Sequence, residues 1–226
     1  MTLPIGARKG RPAFSLVELL VVLAVLAVLI GLLARGLGDS GTWKRKTARD
    51  QIAAILGSAR AEAVALREPV ALVLAPAEGL PDHMTGMEGA ALAIFSCEKE
   101  ADGDGYILTR RKSSWKALPR GMIFADRAPS ADAVLGLYTG ESSIGISPSL
   151  LSRDETSFLE KASAIVFSAS GRVLHPVGET GMLSLGLWEG RYVDGEALRT
   201  RKLPKNRLFA EEIRINRQSG RAHRSF

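Results

Sequence analysis

The sequence predicts an α+β fold in which a long N-terminal helix, membrane-length in its first half and amphipathic in its second, packs on an antiparallel β-sheet. Three observations predict it. Residues 14–34 form one apolar run, residues 42–67 repeat apolar side chains at helical spacing, and short β-branched or alternating stretches follow from residue 69. The expected organisation is a basic leader at 1–13, a transmembrane helix at 14–35, a hinge and amphipathic helix at 36–68, and a β-rich region at 69–226.

The apolar run, Phe14 to Ala34, has 21 residues, one charge (Glu18) and no proline. As a helix it measures roughly 31 Å, about the thickness of a bilayer's hydrocarbon layer. It is apolar on every face, which suits a spanning helix better than one lying on a surface. A cleaved secretory signal is the alternative, but its apolar core is shorter, and ARGLG at the far end of this run is a poor cleavage site. Arg8, Lys9 and Arg11 precede the run with no acid beside them, which places the N-terminus in the cytoplasm and the rest of the chain outside. Within the run, Glu18 costs a few kcal/mol unless it lies near the interface or is paired. It either reaches the headgroups and does nothing specific, or it has a function.

Charge excludes little. The net +6 comes from 30 basic and 24 acidic residues, and without residues 1–13 the balance is 27 against 24, too mild to argue for nucleic acid. Cys97 is the single cysteine, so no internal disulfide holds the fold.

The segment Arg8-Lys9-Gly10-Arg11-Pro12-Ala13 followed by Phe14-Ser15-Leu16-Val17-Glu18-Leu19-Leu20 resembles the type IV prepilin signature. The resemblance implies a pilin-like fold, and cleavage between Ala13 and Phe14 by a prepilin peptidase that also methylates the new amino group of Phe14. It also implies retention of the apolar run, and assembly with other pilin or pseudopilin subunits on an inner-membrane platform. The localisation that follows is a single-pass inner-membrane protein with a periplasmic C-terminal domain. The family usually has Gly where this chain has Ala13, and Pro12 is unusual beside it; alanine is small enough for processing, with slower cutting expected. Within a filament, Glu18 would neutralise the amino terminus of a neighbouring subunit, a pair strengthened by the low dielectric that penalises either charge alone.

Gly36, Gly38 and Gly41 mark a hinge, after which Ser40 or Thr42 is placed to cap a second helix. Its apolar stripe is Ala48, Ile52, Ile55, Leu56, Ala59, Ala63 and Leu66, and Pro69 stops it. Three stretches are similar to H-type minor pseudopilins and FimT-like minor pilins: Ala59-Arg60-Ala61-Glu62-Ala63 leading into Pro69–Leu74, Trp115–Gly121, and Ile165–Arg172. Strands are expected at 70–75, 91–97, 105–111, 121–124, 134–138, 164–168, 172–175, 182–188 and 211–217, with hairpin turns at Ser168–Gly171 and Gln218–Gly220. Residues 126–162 read as a long insertion.

Other constellations are weak. Asp102-Gly103-Asp104-Gly105 resembles the start of a calcium loop, but Arg110, Arg111 and Lys112 stand where further oxygen ligands are needed. A tight turn is the favoured reading, and calcium the minor one. His83, His175 and His223 are isolated, and no nucleophile elbow, P-loop or dinucleotide fingerprint is present, so neither a cofactor nor an enzyme is expected. Arg214, Arg217 and Arg221 form a basic stretch able to contact DNA phosphates, against the preferred reading of a charged solvent face on a final hairpin.

Overall fold

The computed structural model describes residues 16–36, 40–100, 105–125, 134–135, 145–146, 158–159, 162–176, 181–203 and 209–224. The chain divides into two units, Met1–Thr42 and Trp43–Phe226. The first contains helix α1 (Leu16–Gly36), formed by the Leu/Val/Ala-rich run, with every side chain from Leu16 to Leu29 exposed. Of the expected hinge glycines, Gly36 ends α1 and Gly41 lies in the first turn of α2, while Gly38 lies outside the described residues.

Helix α2 (Ser40–Leu66) runs into the second unit. Ala48, Ile52, Leu56, Ala59 and Ala63 are buried at spacings of three and four, and Ile55 packs beside them. Leu66, expected in the same stripe, is instead exposed, because it falls in the last turn beyond the sheet contact. The helix ends with Arg67 in the left-handed region (φ 58), one residue before Glu68, which Pro69 biases away from helix.

The strands form two sheets. In the first, β1 (Val70–Leu74) lies between β2 (Ala91–Lys99) and β8 (Ser163–Phe167), all antiparallel, so Leu72 faces Ile94 on one side and Ile165 on the other. Strands β3 (Tyr106–Arg111), β4 (Lys116–Ala117), β7 (Gly145–Ile146) and β9 (Val173–His175) complete it. The second is built on β10 (Met182–Val193), paired with β5 (Met122–Phe124), β6 (Val134–Leu135), β11 (Glu196–Arg199) and β12 (Glu211–Asn216), and β13 (Ala222–Arg224) pairs with β12. Two pairings, β3 with β7 and β10 with β6, are parallel, and both use residues of the expected insertion at 126–162.

Burial explains the composition of the central strands. Val70, Leu72 and Leu74 share a core with the α2 stripe and with Leu183, Leu185, Leu187, Ile213 and Ile215 of the second sheet. Ala71 and Val73 point the other way, into a second core with Phe95, Cys97, Leu108 and Val166. Phe158, Leu159 and Met84 belong to that second core, and Trp115 meets Phe95 and Phe158 with ring centroids 5.9 Å apart in each pair. A strand covered on both faces has no reason to alternate, so VALVL is apolar throughout and SAIVF is apolar after Ser163. The 126–162 segment is therefore more than a surface insertion, since its Phe158 and Leu159 help to close one face of the first sheet.

Candidate functional site

The chemistry predicted from the sequence sits at the N-terminus, where the structure describes only part of it. Arg8, Lys9, Arg11, Ala13 and Phe14 lie outside the described residues. Glu18 is in the first turn of α1, exposed, between Val17 at 69% and Leu19 at 59% exposure. A carboxylate there is favoured by the positive end of the helix dipole.

From Leu16 to Leu29 the helix presents Leu and Val side chains that are 47–79% exposed. That is far more contiguous apolar surface than a soluble monomer ordinarily tolerates, so the helix is made to be covered. Side chains are described only as far as Leu29, and among the described residues no helix is long and apolar enough to cross a membrane. The apolar run itself, read from the sequence, continues to Ala34.

The C-terminal arginines do not form one cationic face. Arg217 is buried, and its guanidinium donates to the Pro176 carbonyl; loss of hydration holds its pKa below the ordinary arginine value. The Arg217 side chain therefore faces into the fold. Arg214 pairs with Glu212 at 3.3 Å, and Glu212 also accepts from the Ser184 hydroxyl at 2.7 Å. Arg221 is exposed beyond the turn. The strand alternation of β12, with Ile213 and Ile215 inward and Arg214 outward, sets the inward Arg217 apart from Arg214.

Asp102 and Asp104 lie outside the described residues, and the flanking Glu100 N–H donates to the Gly105 carbonyl at 3.0 Å, closing the connection between β2 and β3. Among the described residues no group of three or more His, Cys, Asp or Glu is placed to hold a metal ion. His83 and His223 are exposed and His175 is buried, on separate elements. A cleft of about 690 Å³ is bordered by Glu78, Glu88, Arg120, Arg191 and several glycine turns.

Two junctions escaped the sequence reading. Glu189 forms an ion pair with Arg45 at 3.2 Å, while its carbonyl accepts from the Thr200 N–H at 2.9 Å, so one strand residue ties the start of α2 to the segment after β11. The β10–β11 hairpin itself turns on Asp194 (φ 50) and Gly195 (φ 79), and the Asp-Gly pair was the available signal.

Comparison with known proteins bears on the N-terminus. Residues 8–34 match the family model of the prokaryotic N-terminal methylation motif. No curated protein and no solved structure matches the chain. The α+β architecture with an N-terminal helix and antiparallel sheets is compatible with a pilin-like fold. The motif belongs to structural subunits; it implies membrane anchoring of the precursor, processing by a prepilin peptidase and assembly with other pilin subunits. The N-terminal segment of this chain carries the methylation motif that indicates a type IV pilin-like or pseudopilin-like precursor.

Proposed function

We propose that the chain is a minor pseudopilin or minor pilin, of the H-type or FimT-like kind, that enters a short type II secretion pseudopilus or a type IV pilus. The reading rests on one observation: the methylation motif at residues 8–34 takes in most of an apolar helix whose side chains are exposed from Leu16 to Leu29. Before assembly the lipid bilayer covers that helix, with the N-terminus in the cytoplasm and the β-rich domain in the periplasm. In the filament, neighbouring subunits cover it instead. Glu18 then pairs with the amino terminus of the adjacent subunit, since either charge alone is expensive at that depth. A role in binding DNA or secreted cargo is the second reading; the burial of Arg217 removes one of the three arginines that supported it.

The intact mass of the membrane-extracted protein tests the reading. The expected polypeptide lacks residues 1–13, begins at Phe14 and carries one added methyl group. A chain beginning at Met1, or one shorn of the whole apolar run and free in solution, would overturn it.

A further inference from the structure

We infer that the surface around the first turns of α2 is a lipid contact, recognising anionic phospholipid headgroups through Trp43, Lys44 and Lys46 together with Arg201 and Lys202. The inference rests on the reading of α1 as a membrane anchor and adds a second, electrostatic contact to it.

The geometry brings two distant stretches together through Glu189. Its carboxylate holds Arg45, in the same turn as Trp43 and Lys46, and its carbonyl holds the N–H of Thr200, next to Arg201 and Lys202. Both stretches are free of acids: residues 43–49 read WKRKTAR, and residues 197–209 read ALRTRKLPKNRLF. The arginines whose charge is met inside the fold are identifiable. Arg45 pairs with Glu189, Arg49 pairs with Glu211 at 3.0 Å, and Arg199 lies 3.4 Å over the Trp188 ring. Lys46, Arg201 and Lys202 are exposed. The nearby acids Asp194 and Glu196 stand at the tip of the β10–β11 hairpin, whereas Arg199 lies further along it, opposite Gly190.

A cationic surface alone would suit any polyanion; its apolar members favour a bilayer. Trp43 is 69% exposed, against 48% or less for the other exposed large hydrophobics described in this unit, and Leu198 at 48% lies on β11. An indole prefers the headgroup zone, where its ring is half-desolvated and its N–H stays wet, and flanking lysines meet lipid phosphates. Covalent continuity points the same way, because Trp43 follows Ala34, the end of the apolar run, by only nine positions.

The test uses the full chain reconstituted into vesicles of neutral phosphatidylcholine, with or without phosphatidylglycerol, with bromine-labelled acyl chains as a quencher. The difference between the parent and Trp43→Phe isolates the Trp43 emission from that of Trp115 and Trp188. The expected result is about a two-fold rise in Trp43 quenching when phosphatidylglycerol is present, reversed by high salt and by Lys46→Gln/Arg201→Gln/Lys202→Gln. Flotation of the same vesicles after an alkaline wash reads anchoring by α1 separately. A chain that floats but shows no charge-dependent quenching would overturn the lipid contact and leave the anchor standing; a chain that does not float overturns both. Retardation of duplex DNA by the detergent-solubilised chain at physiological salt, abolished by the same triple variant and without lipid-dependent quenching, would reassign the surface to nucleic acid and overturn the inference.

Discussion

Arg60, on α2, donates from Nε to the backbone carbonyl of Ser219 at 2.7 Å, joining the C-terminal third of the amphipathic helix to the turn between β12 and β13. Two glycines make room for it. A Cβ on Gly171 would stand 2.9 Å from Arg60 Nε, and one on Gly220 would stand 2.1 Å from the Gly171 carbonyl oxygen. The hairpin turns of the two sheets therefore meet over one arginine. Both glycines also sit at positive φ, 79 and 63, where a side chain is strained whatever the space.

Arg60→Met keeps the aliphatic stem and removes the charged donor. We expect it to lower unfolding stability by about 1–3 kcal/mol, the usual loss when a hydrogen bond from a charged group to a partly buried acceptor is broken. Gly220→Ala should cost at least as much, because backbone strain is added to the clash. Urea unfolding of the detergent-solubilised chain followed by circular dichroism measures both. An unchanged midpoint for either variant would show that the turns are held without the clamp.

Cys97 is buried on β2 in the core behind the first sheet, and loss of hydration, with Glu98 as a lesser cause, pushes its thiol up from 9.0 to about 12. The reactive form is the thiolate, so at pH 8 the folded chain should alkylate many-fold more slowly than the same chain in denaturant. The sign of the stability effect follows. Between pH 9 and about 12 the unfolded chain has released the thiol proton and the folded chain retains it, so stability falls as pH rises through that window. Cys97→Ala should flatten this part of the profile. Equal alkylation rates in the folded and unfolded chains would contradict the burial of Cys97.

Glu18→Ala and Glu18→Gln should leave the anchor inserted, since each replaces a charge in the apolar run with a neutral group. Entry into filaments should fall about tenfold or more, because the amino terminus of the adjacent subunit would lose its counter-charge in a low-dielectric layer. Cross-linking of the membrane-inserted variants to other pilin subunits reads assembly separately from insertion. Assembly at the parental level would remove any pairing role for Glu18.

Local signals carried the linear plan of this protein. The apolar run, Glu18, the helical spacing from Ala48 to Ala63, and the strands begun by Val70, Ala91, Ser163 and Met182 were legible because each depends on chemistry within a few residues. So were the turns at Ser168–Gly171 and Gln218–Gly220, where small polar residues and glycine accept conformations that others resist. Among the strands of two to four residues, β5, β6 and β9 were legible, whereas β4, β7 and β11 were missed because a piece that short shows no period.

Packing was decided elsewhere. Nothing in VALVL reveals that Ala71 and Val73 face a second core, because that depends on Phe158 and Leu159, nearly ninety residues further along the chain. Nothing in RINRQSGR shows that Arg217 turns inward to Pro176 while Arg214 stays outside. The pairing of Arg45 and Thr200 with Glu189 is likewise a product of long-range closure. Periodicity and composition record what each segment must hide from water, whereas which distant segment hides it is settled only when the two sheets and the helix exclude water together.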